Sequence, residues 1–334
     1  MLASVFGKTK LQRLLRVGFV LVLSIQHAHA FDLQAHRGGR GLLPENTLAA
    51  FENAIRMGVT TIELDIAITA DGVPVISHDA ALRFEITRDA DGKWLSERGP
   101  LIKSLTLAQV QTYDVGRISP ASKYARDFPD QQPRDGQRIP TLAALFKLVN
   151  ELGANDVHFD IETKINPHDP EKTLAPKPFV NTMLKVIRDA GMTRRVMVQS
   201  FDWRTLELLH ELEPGLRTVY LTVESPEFYT LKDGTWNAGR LLKDYGGSIP
   251  RMVRASAEKA TGVIWAPNFR NLTVATLKEA HELGLKVIPW TVNQNAAMEQ
   301  LIEWGVDGII TDYPDRLREV MAKKNMPLPK GANK

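Results

Sequence analysis

The residues best suited to chemistry lie between positions 36 and 79. Glu63 and Asp65 are two residues apart in an apolar, β-branched run. On a strand they would point to the same side, about 7 Å apart. Carboxylates that face a packed interior are costly unless they pair with a cation. The pair therefore predicts a site for Ca²⁺ or Mg²⁺, which prefer oxygen ligands. A structural salt bridge to a nearby Arg or Lys is the alternative.

A second polar segment repeats this geometry. Asp160, Glu162 and Lys164 alternate with apolar or neutral residues, so they share one face of a strand. In a barrel this strand would lie beside the strand that carries Glu63. Glu162 is predicted to complete the cation site, with Lys164 holding an anion beside it. The alternative is that Glu162 and Lys164 only pair with each other.

Two histidines lie on either side of the carboxylate pair in the sequence. His36 and His78 each stand where a predicted strand gives way to a loop. Imidazole titrates near neutral pH, so two histidines across a scissile phosphate could act as general acid and general base. Arg37 adds a fork-shaped donor that fits phosphate oxygens. A lone histidine in such a position is more often structural, and the nearby carboxylates favour the catalytic interpretation.

The elements that must position these residues alternate along the chain. Short β-rich runs are followed by amphipathic helical runs, giving eight strand–helix steps. This rhythm predicts a (β/α)8 TIM barrel with loop insertions at the C-terminal face of the strands. The long irregular stretches 80–139 and 223–248 are predicted as lids or binding loops, with disordered surface insertions as the alternative. The candidate residues near predicted strand ends are His36, Glu63, Asp65, Glu162, Gln199, Trp290 and Asp312.

The N-terminus has the pattern of a secretory signal, with an uncleaved amphipathic anchor as the alternative. Four basic residues precede the apolar run Val17 to Ile25 and the small residues Ala28-His29-Ala30. The predicted organisation is a signal peptide at 1–30, one TIM-barrel domain at 31–326 and a flexible tail at 327–334. Removal of the signal leaves 38 of the 42 Lys and Arg residues against 39 Asp and Glu residues. The net charge of the mature chain is therefore near zero, which does not favour nucleic-acid binding. The absence of cysteine excludes disulfides, thiolate metal sites and cysteine nucleophiles.

The motifs taken together resemble one enzyme family. The N-terminal half carries Ala35-His36-Arg37-Gly38, Pro44-Glu45-Asn46-Thr47, Glu63-x-Asp65 and His78-Asp79. The later pieces are Glu162-x-Lys164, Gln199-Ser200-Phe201, Pro289-Trp290-Thr291-Val292-Asn293 and the run from Asp307 to Pro314. In this order they are similar to the glycerophosphodiester phosphodiesterase family, over nearly the whole mature chain.

The resemblance implies hydrolysis of glycerophosphodiesters to sn-glycerol 3-phosphate and an alcohol. It implies His36 and His78 as the acid/base pair. It also implies one divalent cation, Ca²⁺ favoured and Mg²⁺ possible, since exported members look like calcium users. The signal pattern predicts an exported, periplasmic protein with no stable membrane anchor after signal cleavage. Thr163 departs from the family, where an apolar residue is more usual, but it should point away from the site. The implied metal ligands are Glu63, Asp65 and Glu162, and the implied substrate residues are Arg37, Glu45, Lys164 and Trp290, with Trp290 on the glycerol side.

Two other functions remain open from the sequence. A phospholipase D-like lyase would use a similar cation and histidine pair, and a stable cyclic phosphate product would favour it. A non-catalytic binding protein for phosphorylated glycerol compounds would need Arg37 and Lys164 but has no use for two histidines. The sequence leaves open the alcohol group, the identity of the cation, which histidine is the acid, and whether a cyclic intermediate forms.

Overall fold

A computed structural model describes residues 31–258 and 260–332, and its centre is a sheet of parallel strands. The strands hydrogen-bond in the order β8-β7-β6-β5-β4-β2-β1-β9, with β3 antiparallel to β2. The strands are β1 (Asp32–Ala35), β2 (Thr61–Ile68), β3 (Pro74–Ile76), β4 (His158–Thr163), β5 (Val196–Ser200), β6 (Arg217–Thr222), β7 (Ile264–Pro267), β8 (Lys286–Val287) and β9 (Gly308–Thr311).

Backbone hydrogen bonds beyond β8 bring the two ends of this sheet together. Asp307 N donates to Val287 O (2.9 Å), and Ile310 N donates to Pro289 O (3.1 Å). Val292 N donates to Ile310 O (3.0 Å). The eight parallel strands thus form a nearly closed barrel with helices between them, and the predicted fold class is confirmed.

The helices pack their apolar faces on the outside of the barrel. Several begin at a Thr, Ser or Asp whose side chain accepts a backbone N–H, as Thr47 does from Ala50 and Thr141 from Ala144. Such N-caps fix where each loop ends and each helix begins. The helices are α1 (Leu48–Met57), α2 (Leu107–Val110), α3 (Lys123–Asp127), α4 (Leu142–Glu151), α5 (Pro176–Asp189), α6 (Trp203–Leu212), α7 (Ile249–Ser256), α8 (Val274–Glu282), α9 (Asn295–Trp304) and α10 (Pro314–Lys323).

The pairing of β2 with β4 sets the register of the acidic residues. Glu63 lies opposite Asp160, and Asp65 lies opposite Glu162. Because alternate residues of a strand share one face, these carboxylates point into the barrel while their apolar neighbours pack against the helices. Leu64, for example, is fully buried in the main apolar core. The predicted adjacency of the two acidic strands is confirmed.

Both irregular stretches are folded against the barrel. Residues 80–139 contain α2 and α3, and several of them form a small apolar core with β2 and β3 that includes Leu82, Ile102 and Val110. In the stretch 223–248, Trp236 is buried and its carbonyl accepts the backbone N–H of Trp203. Both stretches contribute residues to the cavity at the carboxyl ends of the strands. They are therefore insertions on the face that the sequence predicts.

The structure describes the C-terminal tail as far as residue 332 but not residues 1–30. The predicted signal peptide at 1–30 lies outside the described residues. In the predicted flexible tail, Ala332 N donates to Ile55 O (3.1 Å), and Pro329 O accepts from Arg318 Nη1 (2.9 Å). These bonds place residues 329–332 against α1 and α10, while the mobility of the tail stays a prediction. Among the helices of residues 31–258 and 260–332, none combines the length and apolar character needed to cross a bilayer.

Candidate active site

The turn after β1 places backbone and side-chain donors beside the β2 carboxylates. Arg37 has a left-handed backbone (φ 52°), and Gly38 follows at φ 81°. A Cβ on Gly38 would lie only 2.9 Å from the Phe51 ring, so the close approach of this turn to α1 requires glycine. In this conformation the Arg37 N–H donates to Glu63 Oε2 at 2.8 Å.

Three buried carboxylates form a cluster inside the barrel. Single oxygens of Glu63, Asp65 and Glu162 all lie within 4.8 Å of one another. Asp65 Oδ1 is buried and has no hydrogen-bond partner among the described residues. Burial, together with the neighbouring Asp65 and Glu162, raises the pKa of Glu63 well above its usual range. Carboxylates this close repel each other, and a bound divalent cation would relieve the repulsion.

Ion pairs accompany this cluster. Lys164 Nζ lies 2.8 Å from Glu162 Oε1. This is the pairing expected if Glu162 and Lys164 only form a salt bridge with each other. Arg37 Nε lies 3.4 Å from Asp65 Oδ2. Burial raises the pKa of Glu162 to about 7 even with Lys164 beside it. The positive charges of Lys164 and Arg37 therefore only partly compensate the three carboxylates. The same carboxylates thus form salt bridges and could also bind a metal ion.

His36 is held by a carboxylate from the opposite end of the chain. Its Nδ1 lies 2.6 Å from Asp312 Oδ1, and its Nε2 lies 3.9 Å from Glu63 Oε2. Asp312 also accepts hydrogen bonds from Arg40 Nε (2.7 Å) and Asn293 Nδ2 (2.6 Å). Burial and the nearby Arg40 lower the pKa of His36 to about 4, although Asp312 acts in the opposite direction.

His78 has an equivalent arrangement on the other side of the cluster. Its Nδ1 lies 3.2 Å from Asp79 Oδ1, and its Nε2 lies 3.0 Å from Lys164 Nζ. Burial, Arg37 and Lys164 lower the pKa of His78 to about 4. Each imidazole thus meets a carboxylate at Nδ1, which fixes the ring and directs Nε2 toward the carboxylate cluster.

Arg37 and Glu45 form a buried pair that reaches the insertion at 80–139. Arg37 Nη1 donates to Glu45 Oε1 at 2.8 Å, and the other Glu45 oxygen accepts from the Tyr124 hydroxyl. Tyr124 lies in α3, and its hydroxyl also accepts from Arg40 Nη1 (3.1 Å). Although burial alone would raise it, the pKa of Glu45 falls to about 2 because Arg37, Arg40 and Arg83 surround the carboxylate.

Trp290 lies in an aromatic wall of the same cavity. Its indole Nε1 donates to Ala266 O (2.8 Å), and its ring lies 5.4 Å from that of Phe201. Phe201 also contacts Phe228, which packs on Trp236. The cavity has a volume of about 490 Å³ and is lined by seven of the nine sequence-predicted site residues. Those lining it are His36, Arg37, Glu63, His78, Glu162, Lys164 and Trp290, with Asp65 and Glu45 directly behind Arg37.

Sequence reasoning missed several contacts that hold the site together. Asp312 follows β9 at the C-terminal face, where the sequence predicts it, but nothing in the sequence predicts that it binds His36. Asn293 and Arg40 lie in or near quoted motifs, but nothing in their spacing predicts that both bind Asp312. Tyr124 lies in an irregular stretch where no periodicity predicts that it reaches Glu45. The contacts of all four come from loops, whose paths depend on tertiary structure.

Known proteins are similar to this chain over nearly all of its barrel. Residues 36–316 match the Glycerophosphoryl diester phosphodiesterase family. A glycerophosphodiester phosphodiesterase of Caldanaerobacter subterraneus is 29% identical over 86% of this chain and 97% of its own length. One from Bacillus subtilis is also 29% identical, over 86% and 85%.

Solved structures agree with the sequence relatives. A Silicibacter pomeroyi protein described as a candidate glycerophosphoryl diester phosphodiesterase has a TM-score of 0.78 and 33% identity, covering 90% of this chain and 96% of that one. An Oleispira antarctica phosphodiesterase shares the fold, with a TM-score of 0.59 and 22% identity over 86% and 96%. The matched region contains both histidines, the carboxylate cluster and Asp312. On these grounds, the chain belongs to the glycerophosphoryl diester phosphodiesterase family and is an enzyme of that class.

Proposed function

We propose that the enzyme hydrolyses glycerophosphodiesters to sn-glycerol 3-phosphate and an alcohol, using one divalent cation and two histidines. The observation that carries this proposal is the placement of His36 and His78 on either side of the acidic cluster. His36 Nε2 lies 3.9 Å from Glu63, and His78 Nε2 contacts the same ammonium group as Glu162. The Oleispira relative was solved in complex with the product sn-glycerol-3-phosphate, which agrees with the proposed product.

The cation would be held by Glu63, Asp65 and Glu162. Asp65 Oδ1 is buried without a hydrogen bond, with Lys164 Nζ 3.8 Å away, and the pKa of Glu63 is raised; both features fit a site built for a positive ion. All the donors are oxygens, which suits Ca²⁺ or Mg²⁺, and the family resemblance favours Ca²⁺. When bound, such an ion neutralises phosphate charge and stabilises the charge that develops in the transition state.

Arg37 and Lys164 would hold the phosphate of the substrate. Both cations line the cavity beside the acidic cluster, and each is already oriented by a carboxylate. Glu45 fixes the direction of the Arg37 guanidinium, so less conformational freedom is lost when an anion binds. Trp290 offers the glycerol carbons an apolar surface on the opposite wall.

The two histidines would move the protons. One takes a proton from the nucleophile, which is either water or the neighbouring glycerol hydroxyl, and the other protonates the departing alcohol. With pKa values near 4, both imidazoles are neutral at pH 7 in the free protein. The anionic phosphate of a bound diester raises the pKa of the histidine beside it and so favours the protonated form of the general acid.

Asp312→Asn is expected to lower kcat about 10- to 100-fold, because Asp312 holds the His36 ring through Nδ1 at 2.6 Å. The loss of this carboxylate also removes an interaction that raises the pKa of His36. The limb of the pH–rate profile that reports His36 should therefore move to lower pH. The measurement is kcat and kcat/KM from pH 3.5 to 9. An unchanged profile with an unchanged kcat would show that Asp312 does not position His36.

Product analysis tests the reaction itself. With glycerophosphoglycerol as substrate, ³¹P NMR should show sn-glycerol 3-phosphate as the final phosphorus species. A cyclic glycerol phosphate that accumulates and persists would favour the lyase alternative. Tight binding of the substrate without turnover, at any cation concentration, would favour the binding protein instead.

We also propose that the enzyme is exported and that residues 1–30 are removed. The basic start, the short apolar run and Ala28-His29-Ala30 support cleavage after Ala30. Intact-mass spectrometry of protein expressed from the full-length gene should give a chain that begins at Phe31. A mass equal to that of the precursor would contradict this proposal.

A further inference from the structure

We propose that this enzyme prefers glycerophosphodiesters whose alcohol carries a second anionic group, and that Arg98 selects them. The inference rests on the proposed function, because it assigns the alcohol side of the same site. It concerns a region of positive charge beside His78.

A second cavity, of about 350 Å³, adjoins the one that contains the acidic cluster. The two cavities share five lining residues, including His78 and Arg98. An alcohol that leaves a phosphate beside His78 could extend directly into this space. The lining residues are Arg37, Arg40, His78, Asp79, Arg83, Phe84, Glu85 and Arg98, so four arginines face two carboxylates.

Three of these four arginines are compensated by carboxylates. Each has at least one carboxylate oxygen within ion-pair distance, so its charge is already engaged. The pairs are Arg37–Glu45 (2.8 Å), Arg40–Asp312 (2.7 Å), Arg83–Asp79 (3.3 Å) and Arg83–Glu85 (3.2 Å).

Arg98 differs from them. It forms neither a side-chain hydrogen bond nor an ion pair with any residue of 31–258 and 260–332, and its side chain is exposed. Its backbone is nevertheless anchored, because Gly99 N donates to Leu82 O (2.9 Å) and Leu82 N donates to Pro100 O (3.1 Å). A guanidinium held at the wall of a cavity can bind a phosphate or carboxylate through two parallel hydrogen bonds.

The opposite wall does not offer a site for a cationic alcohol. The aromatic rings there lie next to Lys164, whose Nζ is 5.9 Å from the centre of Phe201. At the mouth, Asp169 is already paired with Lys172 at 2.9 Å. Among the described residues beside these rings, a quaternary ammonium would therefore find carboxylates that are already paired, whereas an anionic group would meet the uncompensated Arg98.

Three substrates that differ in the charge of the alcohol test this inference. We would measure kcat/KM for glycerophosphoinositol 4-phosphate, glycerophosphoinositol and glycerophosphocholine, by release of glycerol 3-phosphate. The wild type should prefer the phosphorylated inositol over the plain one by about tenfold, the size expected of one charge-assisted hydrogen bond. In Arg98→Glu this ratio should fall below one, and Arg98→Lys should keep part of the preference.

Arg194→Glu is the matched control. Arg194 is also exposed, but it precedes β5 and so lies at the opposite end of the barrel. This variant changes the net charge by the same amount as Arg98→Glu. It should leave the kcat/KM ratio of the phosphorylated to the plain inositol substrate unchanged. A ratio that Arg98→Glu does not alter, or a wild type that prefers glycerophosphocholine, would overturn the inference while leaving the proposed function intact. Failure to release glycerol 3-phosphate from any of the three substrates would overturn both.

Discussion

Replacing His78 by alanine is expected to lower kcat at least 100-fold while leaving the fold intact. The imidazole Nε2 faces the acidic cluster and the Lys164 ammonium, so its loss removes one of the two proton-transfer groups. The side chain is only partly buried, with 28% of its surface exposed, so little stability should be lost. The measurement is kcat at saturating substrate and cation, with the circular dichroism spectrum and Tm recorded for the same sample.

His281→Ala is the matched control for this variant. His281 is exposed and is also paired with an aspartate, Asp307 at 2.9 Å, but it lies at the opposite end of the barrel. Its kcat should stay within about twofold of the wild type, as is usual for surface substitutions. Near-wild-type turnover in His78→Ala would refute the scheme with two catalytic histidines.

Replacing Glu63 by glutamine is expected to abolish cation-dependent activity without destabilising the metal-free protein. The pKa of Glu63 is raised well above its usual range by burial, Asp65 and Glu162, so the charged form is disfavoured until a cation binds. Glutamine imitates the neutral form: its Oε1 can accept from Arg37 N, and its Nε2 can donate to Gln199 Oε1 once the Gln199 amide is turned over. The Tm in EDTA should therefore equal or exceed that of the wild type, while kcat/KM falls at least 100-fold.

The response of stability to the cation separates a metal site from a structural salt bridge. At 100 times its dissociation constant, a ligand of the folded state stabilises it by about 2.7 kcal/mol, which raises the Tm on the order of 5 °C. Ca²⁺ or Mg²⁺ should produce this shift in the wild type and in Glu151→Gln, an exposed control. It should be absent in Glu63→Gln. A large loss of stability of Glu63→Gln in EDTA would instead show that Glu63 is a structural ion-pair residue.

The barrel and the acidic pair were predictable because they follow from local periodicity. Alternation along β2 places Glu63 and Asp65 on one face, and the same rule places Glu162 on β4. Parallel pairing then brings Asp65 opposite Glu162, which needs no knowledge of the loops. The C-terminal ends of all parallel strands lie at the same face of a barrel, so the predicted residues meet at that face.

The groups that orient the histidines could not be predicted in the same way. Asp312 and His36 are 276 positions apart, and they meet only because β9 pairs with β1 to close the barrel. Tyr124 reaches Glu45 from α3, where it packs against a small apolar cluster of Ile118, Phe128 and Tyr313. Arg98 has no motif at all, and its position follows from hydrogen bonds between two loop segments. Such contacts depend on tertiary structure, which no spacing rule describes.

The most direct test of the central claim is the cation dependence of hydrolysis by the purified mature protein. Glycerophosphoglycerol is a suitable substrate because its alcohol is uncharged. Release of sn-glycerol 3-phosphate should stop when EDTA is added and return when Ca²⁺ or Mg²⁺ is restored in excess. The account predicts this loss and recovery, with Ca²⁺ the better of the two ions. Full turnover in EDTA after exhaustive dialysis would contradict it, because the acidic cluster would then have no catalytic cation to hold.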